Sequence, residues 1–205
     1  MGGDGMISRH NRVLLAGMRL VEEISARVGT TSYIWGGFTF DIAAGCLLRE
    51  HNDLDYLTVD LEHHKPQLIA EFTARRWPVK VVSNGDLSPR RHGYHMQLGN
   101  ITLAGDQVRW TFAGETGFLV FPRRWLNPRP VPFCGINVHV VEPEFEYVVK
   151  CCPQIFNPDW TERPHDAGIR ERLRAMLRER GVDPDKLYAE VSICRSAPEA
   201  LPCPF

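Results

Sequence analysis

One stretch, Trp35 to Val59, constrains the fold of this chain more than any other. It reads Trp35-Gly36-Gly37-Phe38-Thr39-Phe40-Asp41, then Gly45, then Arg49-Glu50-His51-Asn52-Asp53-Leu54-Asp55-Tyr56-Leu57-Thr58-Val59. The pattern predicts a strand over Ser32 to Trp35, a Gly-Gly turn, a short helix, a tight loop and a second strand starting at Asp53. Asp53 and Asp55 are two residues apart, so on a strand their side chains leave the same face. Neighbouring carboxylates repel, and a divalent cation between them neutralises that charge. Hard oxygen ligands in an open site suit Mg2+. Gly36 and Gly37 lack a Cβ, which lets backbone amides approach a ligand closely. A helix that follows adds unpaired N–H groups and a dipole that favour an anion such as phosphate. A phosphate cradle followed by a carboxylate pair meets the needs of phosphoryl or nucleotidyl transfer. Each part is common alone; their order and spacing carry the reading.

Three clusters keep their mutual spacing: Gly-Gly-aromatic-x-x-Asp, Gly45, and Arg-Glu-His-x-Asp-Leu-Asp. In this the stretch resembles the nucleotidyltransferase superfamily, and most of all its small aminoglycoside and lincosamide nucleotidyltransferases. The close match covers residues 35–59, and a looser match in element order runs on to about residue 180. The resemblance implies an α/β (α+β) fold, a mixed twisted sheet flanked by helices with a helical C-terminal segment. It divides the chain into a domain over 1–142, a helical segment over 143–196 packed on it, and a tail over 197–205. It implies Mg2+ as cofactor and a nucleoside triphosphate, ATP foremost, as co-substrate. The acceptor would be a hydroxyl of a small molecule such as an aminoglycoside- or lincosamide-like antibiotic.

The same resemblance distributes roles. Asp53 and Asp55 bind the metal and are catalytic, Gly36 and Gly37 cradle phosphates, and Arg49 and Lys150 balance their charge. Arg49 suits this because guanidinium grips phosphate oxygens bidentately. Lys150 falls where similar enzymes carry a lysine facing the triphosphate. Read alone, it is equally a surface lysine near a helix C-terminus. Asp41 is either a contact near the nucleotide or a first-turn carboxylate favoured by the helix dipole. His51 either orients Asp53 or caps a turn. Similar enzymes also carry a third carboxylate on the strand beside the Asp-x-Asp strand, where it completes the metal site or acts as base. The matching strand is expected at Val108 to Phe112, yet Arg109 and Trp110 stand where an acid should be. Asp106, Glu115, His95 or a water are the candidate replacements. The alternative is a catalytically impaired nucleotidyltransferase-fold protein that binds a nucleotide or a protein partner.

The rest of the chain reads in order. Leu14, Met18, Val21, Ile24 and Val28 form the apolar stripe of a helix that stops at Gly29. A helix is expected from about Pro66 to Arg76, a strand over Val79–Val82 and a polar loop over Asn84–Arg91. Tyr94–Leu103 and Gln107–Ala113 are antiparallel strands, Phe118–Phe121 a further one, and 122–132 a Pro-rich loop. Ile136–Val141 is a strand, Glu142-Pro143 opens a helix, Pro164–Arg180 is helical, and another helix starts at Asp183-Pro184. The formal net charge of -1 offers no basic field for nucleic acid. No apolar run is long enough for a bilayer and the N-terminus lacks a signal-peptide pattern, so the cytoplasm is expected. The cysteines, at 46, 134, 151, 152, 194 and 203, form no C-x-x-C and read as reduced thiols.

Overall fold

The helical stripe becomes the buried face of α1 (Arg9–Val28), whose Leu14, Met18, Val21 and Ile24 are all inaccessible to solvent. Ser8 caps its start by accepting from the Asn11 N–H at 3.2 Å, and Gly29, at φ 85°, closes its end. The fold is that of a computed structural model, which describes residues 8–112, 117–153, 161–162 and 166–195, with side chains described as far as 193. After α1 come β1 (Ser32–Trp35), α2 (Phe38–Ala44), β2 (Asp53–Val59) and α3 (Leu61–Ala74). Then follow β3 (Val79–Val81), β4 (Leu87–Arg91), β5 (Tyr94–Ala104), β6 (Gln107–Phe112) and β7 (Gly117–Pro122). A 3-10 turn (Arg123–Trp125) leads to β8 (Val131–Phe133) and β9 (Ile136–Val138). The chain continues through α4 (Pro143–Cys151), α5 (Asp166–Glu179), a 3-10 segment (Pro184–Glu190) and β10 (Ser192–Arg195).

The sheet runs β1-β2-β5-β6-β7-β10, and β4 shares the free edge of β5 with β6 and carries β3 outward. Among the described strands β2 and β5 pair in parallel and the other pairs are antiparallel, so this is a mixed, mostly antiparallel sheet flanked by helices. One face packs on α1, α3 and the β8–β9 hairpin through Ile34, Leu54, Tyr56, Met96 and Leu98. The other packs on α4 and α5 through Leu57, Ile101, Trp110, Phe145 and Leu173. A buried hydroxyl chain ties α1 to the first strands: Ser25 Oγ lies 2.9 Å from Ser32 Oγ, itself 2.9 Å from Thr58 Oγ1. A row of satisfied hydroxyls costs little in a core, where a single unpaired one would be expensive.

Several expected boundaries move. The segment Asn84–Arg91 is no simple loop, because Leu87–Arg91 pairs with β5 and buries Ser88 and Pro89. Pro89 is tolerated because the pairing of β4 with β5 is interrupted at Ser88 and Pro89 and resumes at Arg90, so the ladder needs no N–H there. α3 starts at Leu61 rather than near Pro66, which sits inside the helix with His63 and His64 ahead of it. The Pro-rich loop contains the 3-10 turn and β8, and the strand expected through Val141 ends at Val138. Residues beyond it still bridge to β1, the Ile34 N–H donating to the His139 carbonyl at 2.9 Å. The start of the helix expected at Pro164 lies outside the described residues, and the helix expected at Asp183-Pro184 is a 3-10 segment. β10, unexpected from the sequence, pairs with β7, so the C-terminal segment completes the sheet edge.

Gly17 is where α1 presses on the sheet. A Cβ there would lie 2.9 Å from Met96 Sδ and 3.1 Å from Trp77 Cη2. The Met96 thioether can yield to one methyl group but has no room for a branched side chain. Gly17→Val is therefore expected to destabilise the protein by about 2 kcal/mol, read as a lower urea midpoint.

Candidate active site

The strand–turn–helix at Trp35 is built by glycine. Gly36 has φ 81°, a left-handed conformation that side chains resist, and a Cβ there would stand 3.1 Å from Asp55 Oδ2. This close approach follows from register, since Trp35 pairs with Asp55 across β1 and β2. Asp53 is exposed at the start of β2, and Asp55, on the same face, is partly buried. Above that face lies α4, held down by Phe145, Val148 and Val149. Trp35 packs edge-on against both Trp110, at 5.0 Å between ring centroids, and Phe145, at 6.2 Å. Glu146 of α4 is buried, and its Oε1 accepts a hydrogen bond from the Gly36 N–H. The amide that the sequence assigns to a phosphate thus already holds an anionic group.

Charge is concentrated here. Burial, then the charges of Asp53 and Glu146, pushes the Asp55 carboxyl up to about 7, with Lys150 opposing. Burial likewise raises Glu146 to about 7, with Lys150 and the Gly36 N–H opposing. Lys150 follows Glu146 by four residues, so both lie on one side of α4. The second oxygen of Glu146, Oε2, is buried with no hydrogen-bond partner among the described residues.

The loop between α2 and β2 is fastened by buried polar contacts. Asp41 Oδ2 accepts from the Leu48 N–H at 3.0 Å and lies 3.0 Å from His51 Nε2. The His51 N–H donates to Asn11 Oδ1 at 3.2 Å, and Asn11 Nδ2 donates to the Arg49 carbonyl at 2.8 Å. The His51 ring stacks on Phe38 at 3.9 Å between centroids. The ring of His51 thus bonds Asp41 rather than Asp53, and Asp41, a first-turn carboxylate of α2, also anchors the loop. These contacts also set Arg49 over the turn, where a Cβ on Gly37 would lie 2.5 Å from Arg49 Nη2.

The third carboxylate needs a correction. The strand beside β2 is β5, not the Val108–Phe112 strand, because β2 and β5 pair in parallel over their length. His95 stands across from Asp53 and Gln97 across from Asp55, so β5 brings no acid to this row. Gln97 instead donates to Asp86 Oδ2 at 2.9 Å, and Asn84 donates to the same oxygen at 2.7 Å. Asp106 lies at the far end of β5, about 30 Å along the strand from His95. Glu115 lies outside the described residues. Asp86, held by Gln97, also adds its charge to Asp55, and the acid hydrogen-bonded into the glycine turn is Glu146, from a helix. Its one sequence signal is a carboxylate inside the apolar run Phe145-Glu146-Tyr147-Val148-Val149, a position costly to an unpartnered charge.

Among the described residues no group of three or more His, Cys, Asp and Glu side chains is gathered to hold a metal alone. The donor set is still suited to Mg2+, which takes one or two carboxylates and fills its remaining positions with water and phosphate oxygens. Asp53 and Asp55 would supply the carboxylates, and Glu146 Oε2 is a further oxygen with no hydrogen-bond partner among the described residues.

No family model matches the chain, and no curated protein does. Solved structures do. The chain is similar to the lincosamide antibiotic adenylyltransferase LnuA in its lincomycin-bound form, with a TM-score of 0.58 and 15% identity over 83% of this chain and 98% of that one. It is similar to ANT(2'')-Ia in complex with adenylyl-2''-tobramycin, with a TM-score of 0.56 and 17% identity over 84% of this chain and 99% of that one. The solution structure of the antibiotic-resistance factor ANT(2'')-Ia matches with a TM-score of 0.56 and 16% identity over 83% of this chain and 93% of that one. The fold is nucleotidyltransferase-like.

Proposed function

We propose that this chain is a metal-dependent nucleotidyltransferase that moves a nucleoside monophosphate from a nucleoside triphosphate, ATP foremost, to a hydroxyl of a small molecule. The observation that carries this reading is the gathering of Asp53, Asp55, Glu146 and Lys150 on one sheet face beside the Gly36–Gly37 turn. Fold likeness to an adenylyltransferase and to a protein bound to an adenylylated antibiotic supports it. Those neighbours also make a hydroxylated antibiotic, aminoglycoside- or lincosamide-like, the first acceptor class to try.

Asp53 and Asp55 would hold the metal. When bound, Mg2+ stabilises the charge that develops on the α-phosphate and the departing pyrophosphate. Arg49 beside Gly37 grips phosphate oxygens, and Lys150 adds a point charge to the same group. The acceptor hydroxyl loses its proton to Glu146, its oxygen bonds to the α-phosphorus, and the bond from that phosphorus to the pyrophosphate oxygen breaks. A base titrating near neutrality suits this proton transfer.

The test is to incubate the protein with ATP, Mg2+ and a panel of hydroxylated antibiotics and sugars. A product heavier by one nucleoside monophosphate, with release of pyrophosphate, is expected. Neither product nor magnesium-dependent nucleotide binding would sink the reading. In Glu146→Gln, turnover should fall about 100-fold or more while affinity for a non-hydrolysable ATP analogue stays within about threefold. The second reading, a relative that binds nucleotide without transferring it, draws on His95 and Gln97 standing where an acid is expected beside β2. It predicts analogue binding and no product.

A further inference from the structure

β5 brings no acid to the row of Asp53 and Asp55, but it brings an amide tied to one. Gln97 stands across from Asp55 and Gly99 across from Leu57, so both share the face of the aspartates. Neighbouring strands lie about 5 Å apart, which sets the Gln97 side chain beside the Asp55 carboxylate. On the other side of Gln97 is Asp86, at the entry to β4, which pairs with β5 along the edge away from β2. A tight turn over 82–86 places it. The Val82 N–H donates to the Asp86 carbonyl at 3.0 Å, and the Asp86 N–H donates to Asn84 Oδ1 at 3.2 Å. The missing side chain of Gly99 makes room for the carboxylate, since a Cβ there would lie 3.7 Å from Asp86 Oδ1 and 3.2 Å from Trp110 Nε1. Asp86 is buried, and its charge still reaches Asp55.

The contacts of Asp86 decide how the Gln97 amide is turned. A carboxylate only accepts hydrogen bonds, whereas a glutamine amide carries donors at one end and an acceptor at the other. Asp86 Oδ2 accepts from Gln97 Nε2 at 2.9 Å and from Asn84 Nδ2 at 2.7 Å. Burial pushes the Asp86 carboxyl up, and the donors from Gln97 and Asn84, with the charge of Lys65, oppose it. With Nε2 bound to Asp86, Oε1 is the end of the Gln97 amide left without a hydrogen-bond partner among the described residues. The aspartate face thus presents a third oxygen, neutral and oriented, where a carboxylate is missing. Mg2+ keeps several of its waters, and their hydrogens need acceptors. Groups that orient such outer contacts tune metal affinity.

We propose that Gln97 Oε1 accepts hydrogen bonds from the water shell of the cation held by Asp53 and Asp55, and that Asp86 is the positioning residue that keeps the Gln97 carbonyl turned to that shell. The proposal rests on the metal half of the transferase reading. In Asp86→Asn the new amide can donate to Gln97 Oε1, so the Gln97 amide can turn over and present N–H groups to the cation. The test measures Mn2+, which favours the same oxygen ligands as Mg2+, binding to the full chain with a non-hydrolysable ATP analogue, read from the electron paramagnetic resonance of the free ion. Asp86→Asn should weaken Mn2+ binding at least about tenfold. Gln97→Met, which keeps the Asp86 charge and the side-chain length but removes the oxygen, should weaken it about as much. In Asp86→Asn/Gln97→Glu the carboxylate and the amide change places, and affinity should return to within about threefold of wild type. A lower urea midpoint in Asp86→Asn with unchanged Mn2+ affinity would make Asp86 structural only and overturn the proposal. So would wild-type affinity in Gln97→Met, or no recovery in the double variant. Wild-type protein that binds Mn2+ but transfers no nucleotide removes the transferase reading alone, whereas wild-type protein that binds no Mn2+ removes both.

Discussion

Asp55→Asn should abolish magnesium-dependent binding of an ATP analogue and, in the same protein, raise the thermal midpoint. Both effects come from one cause. Asp55 shares its face with Asp53 and lies near Glu146, and its carboxyl is pushed from 3.8 up to about 7. In the unfolded chain it ionises near its ordinary value, so between about pH 4 and pH 7 the folded state binds the extra proton. The stabilisation tied to that proton is complete below pH 4 and is lost as pH rises through 7. At pH 8 the metal-free wild type carries the whole penalty, about 1–3 kcal/mol after allowing for the solvent that reaches the carboxylate. Asparagine keeps the shape and removes the charge. Metal-free wild type should therefore melt progressively lower from pH 5 to pH 8, and Asp55→Asn should show a flatter profile and a higher midpoint at pH 8. Calorimetric titration with and without Mg2+ checks the binding half, where at least about a 100-fold loss of affinity is expected. A variant that still binds the analogue in a magnesium-dependent way would remove Asp55 from the metal site. Groups placed for function commonly cost stability in this manner.

His51→Ala should be the most destabilising single change in the loop that carries Arg49. His51 and Asp41 are both buried, and the imidazole lies 3.0 Å from Asp41 Oδ2. Removing it leaves the carboxylate with the Leu48 N–H and empties the space stacked on Phe38. An unsatisfied buried group together with lost ring packing amounts to about 3–4 kcal/mol, read by urea unfolding. The analogue should also bind more weakly, because Arg49 sits in the segment that Asp41 and Asn11 fasten. A double-mutant cycle with Asp41→Ala separates the pair from its surroundings. A coupling energy near zero would mean that each residue acts alone.

What could be read from the sequence was local. The strand over Ser32–Trp35, the glycine turn and the start of β2 at Asp53 are each dictated by residues within a few positions, and they stand where expected. The aspartate pair and the apolar face of α1 follow from side-chain periodicity alone. What could not be read depends on long-range packing. The choice of β5 rather than β6 as neighbour to β2 rests on a parallel pairing across a helix and a hairpin, and no residue near Asp53 encodes it. β4 was hidden because Ser88-Pro89-Arg90 has loop composition, while tertiary contacts bury Ser88 and Pro89. Glu146 could not be read as a site residue, because its partner, Gly36, lies 110 residues away.

The pairing of β10 with β7 has a consequence for dissecting this protein. A fragment ending at residue 142 would lose α4, and with it Glu146 and Lys150, and would also lose the strand that covers β7. An uncovered strand presents a row of unpaired N–H and C=O groups to any other chain. In β7 that row would run beside Phe118 and Val120. Such a fragment would tend toward edge-to-edge aggregation, so the C-terminal strand acts as a built-in guard of solubility as well as a closing piece of the fold.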